Sequence, residues 1–118
     1  MKAVFDTNIL IDYLKGISHA NKELALYRRP CISIVTWMEV QVGLSDSDRG
    51  IVNKFLNRFE IIPLSQEIAE TAVNIRKAHR LRLPDAIIWA TAQELETILV
   101  TRNTKDFPAK DVGVRVPY

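Results

Sequence analysis

Apolar positions along the chain fall into two patterns: short unbroken runs, and longer stretches in which they return every three or four residues. The first run, K-A-V-F at 2–5, predicts a buried strand. It gives way to a helix over 8–15, with Ile9, Leu10, Tyr13 and Leu14 on one face and Gly16 as the stop after Lys15. Residues 20–28 read as a second helix, and Pro30 separates it from a second strand at 31–35, C-I-S-I-V. A helix over about 37–42 ends near Gly43. Another covers 48–59, where Ile51, Val52, Phe55, Leu56 and Phe59 keep helical spacing. Glu60 to Pro63 reads as a brief third strand. Ser65 caps a helix running to about Arg80, with Ile68, Ala72, Ile75 and His79 on one side. Pro84 opens the next helix at its first position, where a missing N–H does no harm. Ile98 to Thr101 is a fourth strand and Val114 to Val116 a short fifth.

Strands that alternate with helices, each strand a compact apolar run, predict an α/β domain around a central, mostly parallel sheet of four to five strands. In such sheets the functional crevice lies beyond the carboxyl ends of the strands. Acids gather at those ends. Asp6 follows strand one, and Glu39 lies just past strand two in V-T-W-M-E. Asn103 and Asp106 follow strand four in L-V-T-R-N-T-K-D-F. Asp85 sits in the first turn of the helix that leads into strand four, so the most economical crossover brings it to the same rim.

Each of these residues also has a local explanation. Asp6-Thr7-Asn8 is rich in helix-capping residues, and Thr36-Trp37-Met38-Glu39 matches the S/T-x-x-E capping box. Asp85 beside Pro84 complements the positive end of a helix. Taken singly, each is read as a cap. Caps alone, however, give no reason for acids at one rim after three separate crossovers.

Composition narrows the chemistry. At 118 residues, 47% hydrophobic and 25% charged, the chain is expected to form a single domain over 1–118 with a sizeable core. A net charge of +2 and a pI near 8.8 permit a nucleic-acid partner without requiring one. The single cysteine, Cys31, excludes an internal disulfide and sits in an apolar run, as expected of a core thiol in a reducing compartment. No apolar stretch reaches the length of a membrane span, and Asp6, Asn8 and Asp12 interrupt the N-terminal apolar residues where a signal peptide would be continuous. A cytoplasmic protein is expected. Carboxylates brought close together repel unless they are protonated or neutralised by a cation. His19 and His79 have no metal-ligand spacing to the acids, and one cysteine cannot build a zinc site. An all-oxygen set favours Mg²⁺ or Mn²⁺, which keeps several waters and accepts phosphate oxygens. The implied reaction is phosphodiester hydrolysis by an activated water.

Four segments, V-F-D-T-N-I-L-I-D-Y-L, T-W-M-E-V-Q-V-G, L-P-D-A-I-I-W-A-T-A and L-V-T-R-N-T-K-D-F, occur in this order and together resemble a PIN domain. The type they look most like is the VapC-like toxin ribonuclease of bacterial toxin–antitoxin pairs. The resemblance covers essentially the whole chain. It implies a three-layer α/β/α fold, Mg²⁺- or Mn²⁺-dependent endoribonuclease activity, a homodimer, and neutralisation by a small VapB-like antitoxin docking over the acidic groove. Carried across by motif, Asp6 resembles the first metal-binding aspartate, Glu39 the glutamate and Asp85 the second metal-binding aspartate. Thr7 and Asn8 would orient Asp6 or a water, and Thr101 would line the same pocket. The departure is Asn103, where many PIN domains carry a fourth acid. Either Asp106 compensates, or it is a surface residue beside a buried Phe107. One metal on Asp6 and Asp85 is then expected, with a second in question.

Other residues carry two readings each. Arg102, next to the pocket, is a candidate phosphate contact. The basic run R-K-A-H-R-L-R at 76–82 either steers RNA or, as favoured here, solvates a helix end. Asp12 reads as a solvated residue one turn past Asn8. Trp37 and Trp89 read as core or dimer anchors. The alternative to an enzyme is a module that keeps the fold and binds RNA or protein without cutting, and Asn103 is the feature in its favour.

Overall fold

The first apolar run, Lys2–Phe5 (β1), forms the middle of the sheet in the computed structural model, which describes residues 2–118. The chain continues through Thr7–Leu14 (α1), Ser18–Ala25 (α2), Arg29–Ser33 (β2), Ile34–Val42 (α3) and Arg49–Leu56 (α4). It then forms Glu60–Ile62 (β3), Gln66–His79 (α5), Leu83–Glu94 (α6), Ile98–Val100 (β4) and Val114–Arg115 (β5). The strand order is β3-β2-β1-β4-β5, with every neighbouring pair parallel. The chain therefore winds outward from β1 to β3, then returns to lay β4 against the other side of β1. The two directions of winding diverge between β1 and β4, which opens a crevice at their carboxyl ends.

Alternation along β1 divides the core. Val4 faces one layer with Cys31, Leu99 and Val114, where α5 and α6 supply Ile68, Ala72, Ile75, Ile88 and Trp89. Ala3 and Phe5 face the other with Ile32 and Val100, where α1, α2 and α4 supply Ile9, Leu10, Leu24, Val52 and Phe55. The result is the expected three-layer α/β/α arrangement. Trp89 is buried in the first layer, and Trp37 is half-buried against the second. Burial pushes the Cys31 thiol above its ordinary pKa, as expected of an inert core cysteine. Among the described residues no helix is long and apolar enough to cross a membrane.

Pro30 lies within β2 rather than before it, α2 ends at Ala25, and the passage from β2 to α3 differs from expectation for a physical reason. The run C-I-S-I-V is continuous in sequence, yet β2 stops at Ser33, whose hydroxyl accepts from the Val35 amide at 3.1 Å and caps α3. Ile34 and Val35 are thus helical, their β-branched preference overridden by burial of Val35 under the sheet. Thr36 consequently lies inside α3, and the apparent capping box ending at Glu39 is not one. The remaining caps follow the sequence. Ser65 accepts from the Ile68 amide, Pro84 stands in the first turn of α6, and Gly16 takes φ +83° after α1, a backbone that would strain any side chain.

Candidate active site

Asp6 joins β1 to α1. One carboxylate oxygen accepts from the Thr7 amide at 2.7 Å and so caps the helix. The other accepts from the Thr101 hydroxyl at 2.7 Å and the Asn8 side-chain amide at 3.3 Å. Its own amide donates to the Val100 carbonyl at 2.9 Å, tying the ends of β1 and β4 together. Asp6 is both a cap and the floor of the crevice. The two readings are compatible because a carboxylate has more acceptor sites than the cap consumes.

Glu39 reaches the same place from α3. The Thr7 hydroxyl donates to its Oε1 at 2.6 Å and lies 3.1 Å from the buried Thr36 hydroxyl, which holds α1 and α3 in register. Asp85 arrives in the first turn of α6, whose N-terminus lies at the same edge of the sheet. Asp6, Glu39, Asp85 and Asn103 line one cleft of about 290 Å³, completed by Thr7, Asn8, Ile11 and Arg82. Asp6 and Asp85 are each 4% exposed, and Glu39 and Asn103 are half-buried.

The charges are felt mutually. Burial chiefly, helped by the negative charges of Asp85 and Glu39 and opposed by the hydrogen bonds from Thr101 and Thr7, pushes the Asp6 pKa up to about 6. The raised value has a consequence for the metal-free chain. An acid that holds its proton more tightly folded than unfolded stabilises the fold at low pH and loses that contribution as pH rises. The window here runs from about 3.8 to about 6. The loss from Asp6 alone is expected to be at most about 3 kcal/mol. Asp6→Asn should flatten this part of the urea-stability profile and raise the midpoint at pH 7. An unchanged slope in the variant would show that Asp6 is not the titrating group.

The donor set suits a hard cation. The acids offer only oxygens, and two of them, Asp6 and Asp85, are deeply buried. As the side chains stand, the acids are not drawn in to clasp an ion: among the described residues no three His, Cys, Asp or Glu are close enough to do so.

Several residues take positions that their sequence context did not indicate. Asp106 does not line the cleft; its carboxylate accepts from the Asn103 side-chain amide at 2.9 Å, while its own amide donates to Asn103 at 3.2 Å. Of the pair, Asn103 faces the site, and Asp106 closes a turn ahead of buried Phe107. Arg102 is not aimed at the cleft either. Its guanidinium forks onto Asp12, which also accepts from the Tyr118 hydroxyl at 2.9 Å, and it lies 5.8 Å from the Tyr118 ring centre. Asp12 is therefore buried, at 3% exposure, rather than solvated. Of the two arginines, it is Arg82 that lines the cleft. Within 76–82 the residues divide. Arg76 donates to the Leu81 carbonyl, Arg80 ends α5 in a left-handed turn, and Arg82 alone joins the cleft lining. The overlooked signal was its spacing, three residues before Asp85.

From the acidic cleft an apolar trough runs on over α1, α3 and α4. Ile11 and Glu39 belong to both, and Leu14, Val40, Leu44 and Ile51 extend it. Ile51 is 74% exposed and Val42, on the adjoining turn, 86%.

Comparison with known proteins agrees with this fold. The sequence profile of the PIN domain matches residues 3–113. Ribonuclease VapC10 of Mycobacterium tuberculosis is 32% identical, over 87% of this chain and 84% of its own length. Among solved structures, a chain of a toxin–antitoxin complex from Klebsiella pneumoniae superposes with a TM-score of 0.92 at 47% identity, covering 98% of both chains. A chain of VapBC2 from Rickettsia felis, bound to a DNA fragment from its promoter, shares the fold at a TM-score of 0.85 and 23% identity, again over 98% of both.

Proposed function

Because the chain belongs to the PIN-domain family and is homologous to a VapC ribonuclease, we propose that it is a Mg²⁺- or Mn²⁺-dependent endoribonuclease, the toxin of a VapBC-type pair. The observation that carries this reading is the meeting of Asp6, Glu39 and Asp85, far apart in sequence, around one cleft at the carboxyl ends of β1 and β4.

In this reading Asp6 and Asp85 hold the cation, with Glu39 beside them. When bound, the divalent ion supplies the positive charge that lets the buried acids ionise, activates a water and offsets charge on the phosphate. The chain's own groups do the positioning. Thr101, Asn8 and the Thr7 amide fix both oxygens of Asp6, so that its lone pairs are directed before any ligand arrives. Thr7 occupies one oxygen of Glu39 and leaves the other to accept a proton from a water. Asn103, uncharged and held by Asp106, offers an amide to a water or phosphate oxygen at the rim. No side-chain nucleophile is needed.

The apolar trough beside the acids fits the other half of the reading. A small antitoxin with an amphipathic segment would lay apolar side chains along Leu14, Leu44 and Ile51 and cover the cleft. The homodimer implied by the family resemblance belongs to the same proposal. The binding-module alternative rests on Asn103 alone, and the three remaining acids weigh against it.

The direct test is incubation of the purified chain with single-stranded RNA. Cleavage is expected with Mg²⁺ or Mn²⁺ and none in excess chelator. Full activity in chelator would exclude a metal-dependent mechanism, and RNA retention without cutting under every divalent ion would favour the binding module.

A further inference from the structure

Four ion pairs between arginine and carboxylate stand in the described structure, and they differ in how the arginine is held. Arg102 on Asp12 also lies over the Tyr118 ring, and Arg115 on Glu23 shares its acceptor with the Tyr27 hydroxyl. Arg29 and Glu60 pair in solvent. Arg82 is different because its acceptor is a proposed metal ligand. Its Nε and a terminal nitrogen lie 3.0 and 3.4 Å from the two oxygens of Asp85. The Asp85 side chain is 6% exposed and the Arg82 side chain 71%. A buried carboxylate is thus covered by a cation that is itself mostly in water.

Resting on the reading above, we propose that Arg82 is a displaceable counter-ion. It occupies Asp85 in place of a divalent cation, and once the cation takes that carboxylate, the guanidinium turns to a phosphate of the bound RNA. Arg82 precedes α6 with extended backbone, φ −63° and ψ 148°, and contributes no side-chain cap to the helix. Its side-chain hydrogen bonds go to Asp85 alone, so freeing the guanidinium breaks no other hydrogen bond. The fork covers both Asp85 oxygens, and a cation seated there would repel the guanidinium as well as take its acceptor. Glu39, which lines the same cleft, adds attraction for the guanidinium. A pair with one solvated partner is weak and screened by salt, as exchange requires. A guanidinium at the rim of a cleft for phosphodiesters has the geometry to grip phosphate oxygens in two places.

The test uses the full chain, titrated with Mn²⁺ in the absence of RNA and followed by electron paramagnetic resonance. Relative to wild type, Arg82→Gln should bind Mn²⁺ more tightly by about tenfold. The same variant, assayed at saturating Mn²⁺, should show KM for RNA raised about tenfold, kcat changed less, and a salt dependence of binding shallower by about one charge. Arg82→Lys, which keeps the charge and loses the fork, should fall between the two. If Mn²⁺ binding requires Asp85 yet is no tighter in Arg82→Gln, the counter-ion role is overturned while the nuclease reading stands. Tighter Mn²⁺ with an unaltered KM overturns the phosphate contact. If Asp85→Asn binds Mn²⁺ as wild type does, the metal assignment itself fails, a result distinct from both.

Discussion

Asp6→Asn is expected to lower RNA cleavage by about 10²–10⁴-fold while leaving the chain folded. The substitution is nearly isosteric. The retained amide oxygen still accepts from the Thr7 backbone, and the Thr101 hydroxyl can rotate to accept from the new NH₂ instead of donating. What disappears is the negative charge at the cleft floor, the group that a hard cation requires. The folded state should lose only the 3.3 Å hydrogen bond from Asn8, whose N–H would face the new NH₂, and at neutral pH it should gain on balance, because the carboxylate it loses was costly to ionise in place. Asp85→Asn should inactivate to a similar degree for the same reason. The paired measurement is single-turnover cleavage beside a urea melt. Loss of activity with an unchanged or raised midpoint assigns the charge to chemistry; a collapsed midpoint would return both acids to the role of helix-end residues.

Trp89→Ala should do the reverse, lowering stability by about 3–5 kcal/mol against a total of roughly 5–15 for a domain of this kind. Trp89 is 2% exposed on α6, meets Phe107 edge-on at 5.7 Å and lies 5.0 Å from the His79 ring. Truncation leaves a cavity between the helical layer and the segment after β4, and a tightly packed core relaxes only in part. Phe107 follows the turn that Asn103 and Asp106 close, so the rim of the cleft should loosen along with the core. The measurement is the urea midpoint with its slope. A loss below about 1 kcal/mol would mean that the neighbouring side chains collapse into the space.

Much of the sheet was legible because its strands are buried on both faces and read as short apolar runs; Asp6 was legible because it interrupts such a run where the chain must turn. Glu39 and Asp85 could be found by the rule that crevices form at carboxyl ends of parallel strands. What stayed hidden depends on partners distant in sequence. Asp12 looks like a surface residue of α1, and only the meeting with Arg102 and Tyr118, 90 and 106 residues away, makes its burial tolerable. That same meeting removes Arg102 from the cleft. Thr36 resembled a cap because its hydroxyl and Glu39 sit at capping-box spacing, whereas α3 had begun earlier at Ser33. The pairing of Asn103 with Asp106 was equally invisible, since three residues of loop can point side chains together or apart.

The strand order has a consequence for synthesis on the ribosome. β1 is translated early, but the neighbour that completes the cleft comes from the far end of the chain: the hydroxyl that fixes Asp6 belongs to Thr101, 95 residues later. At about 5–20 residues per second, seconds pass before the two can meet, and longer while β4 still occupies the exit tunnel. A nascent chain therefore carries Asp6, the proposed metal ligand, without the groove around it, and the cleft is assembled only once β4 and Thr101 have emerged.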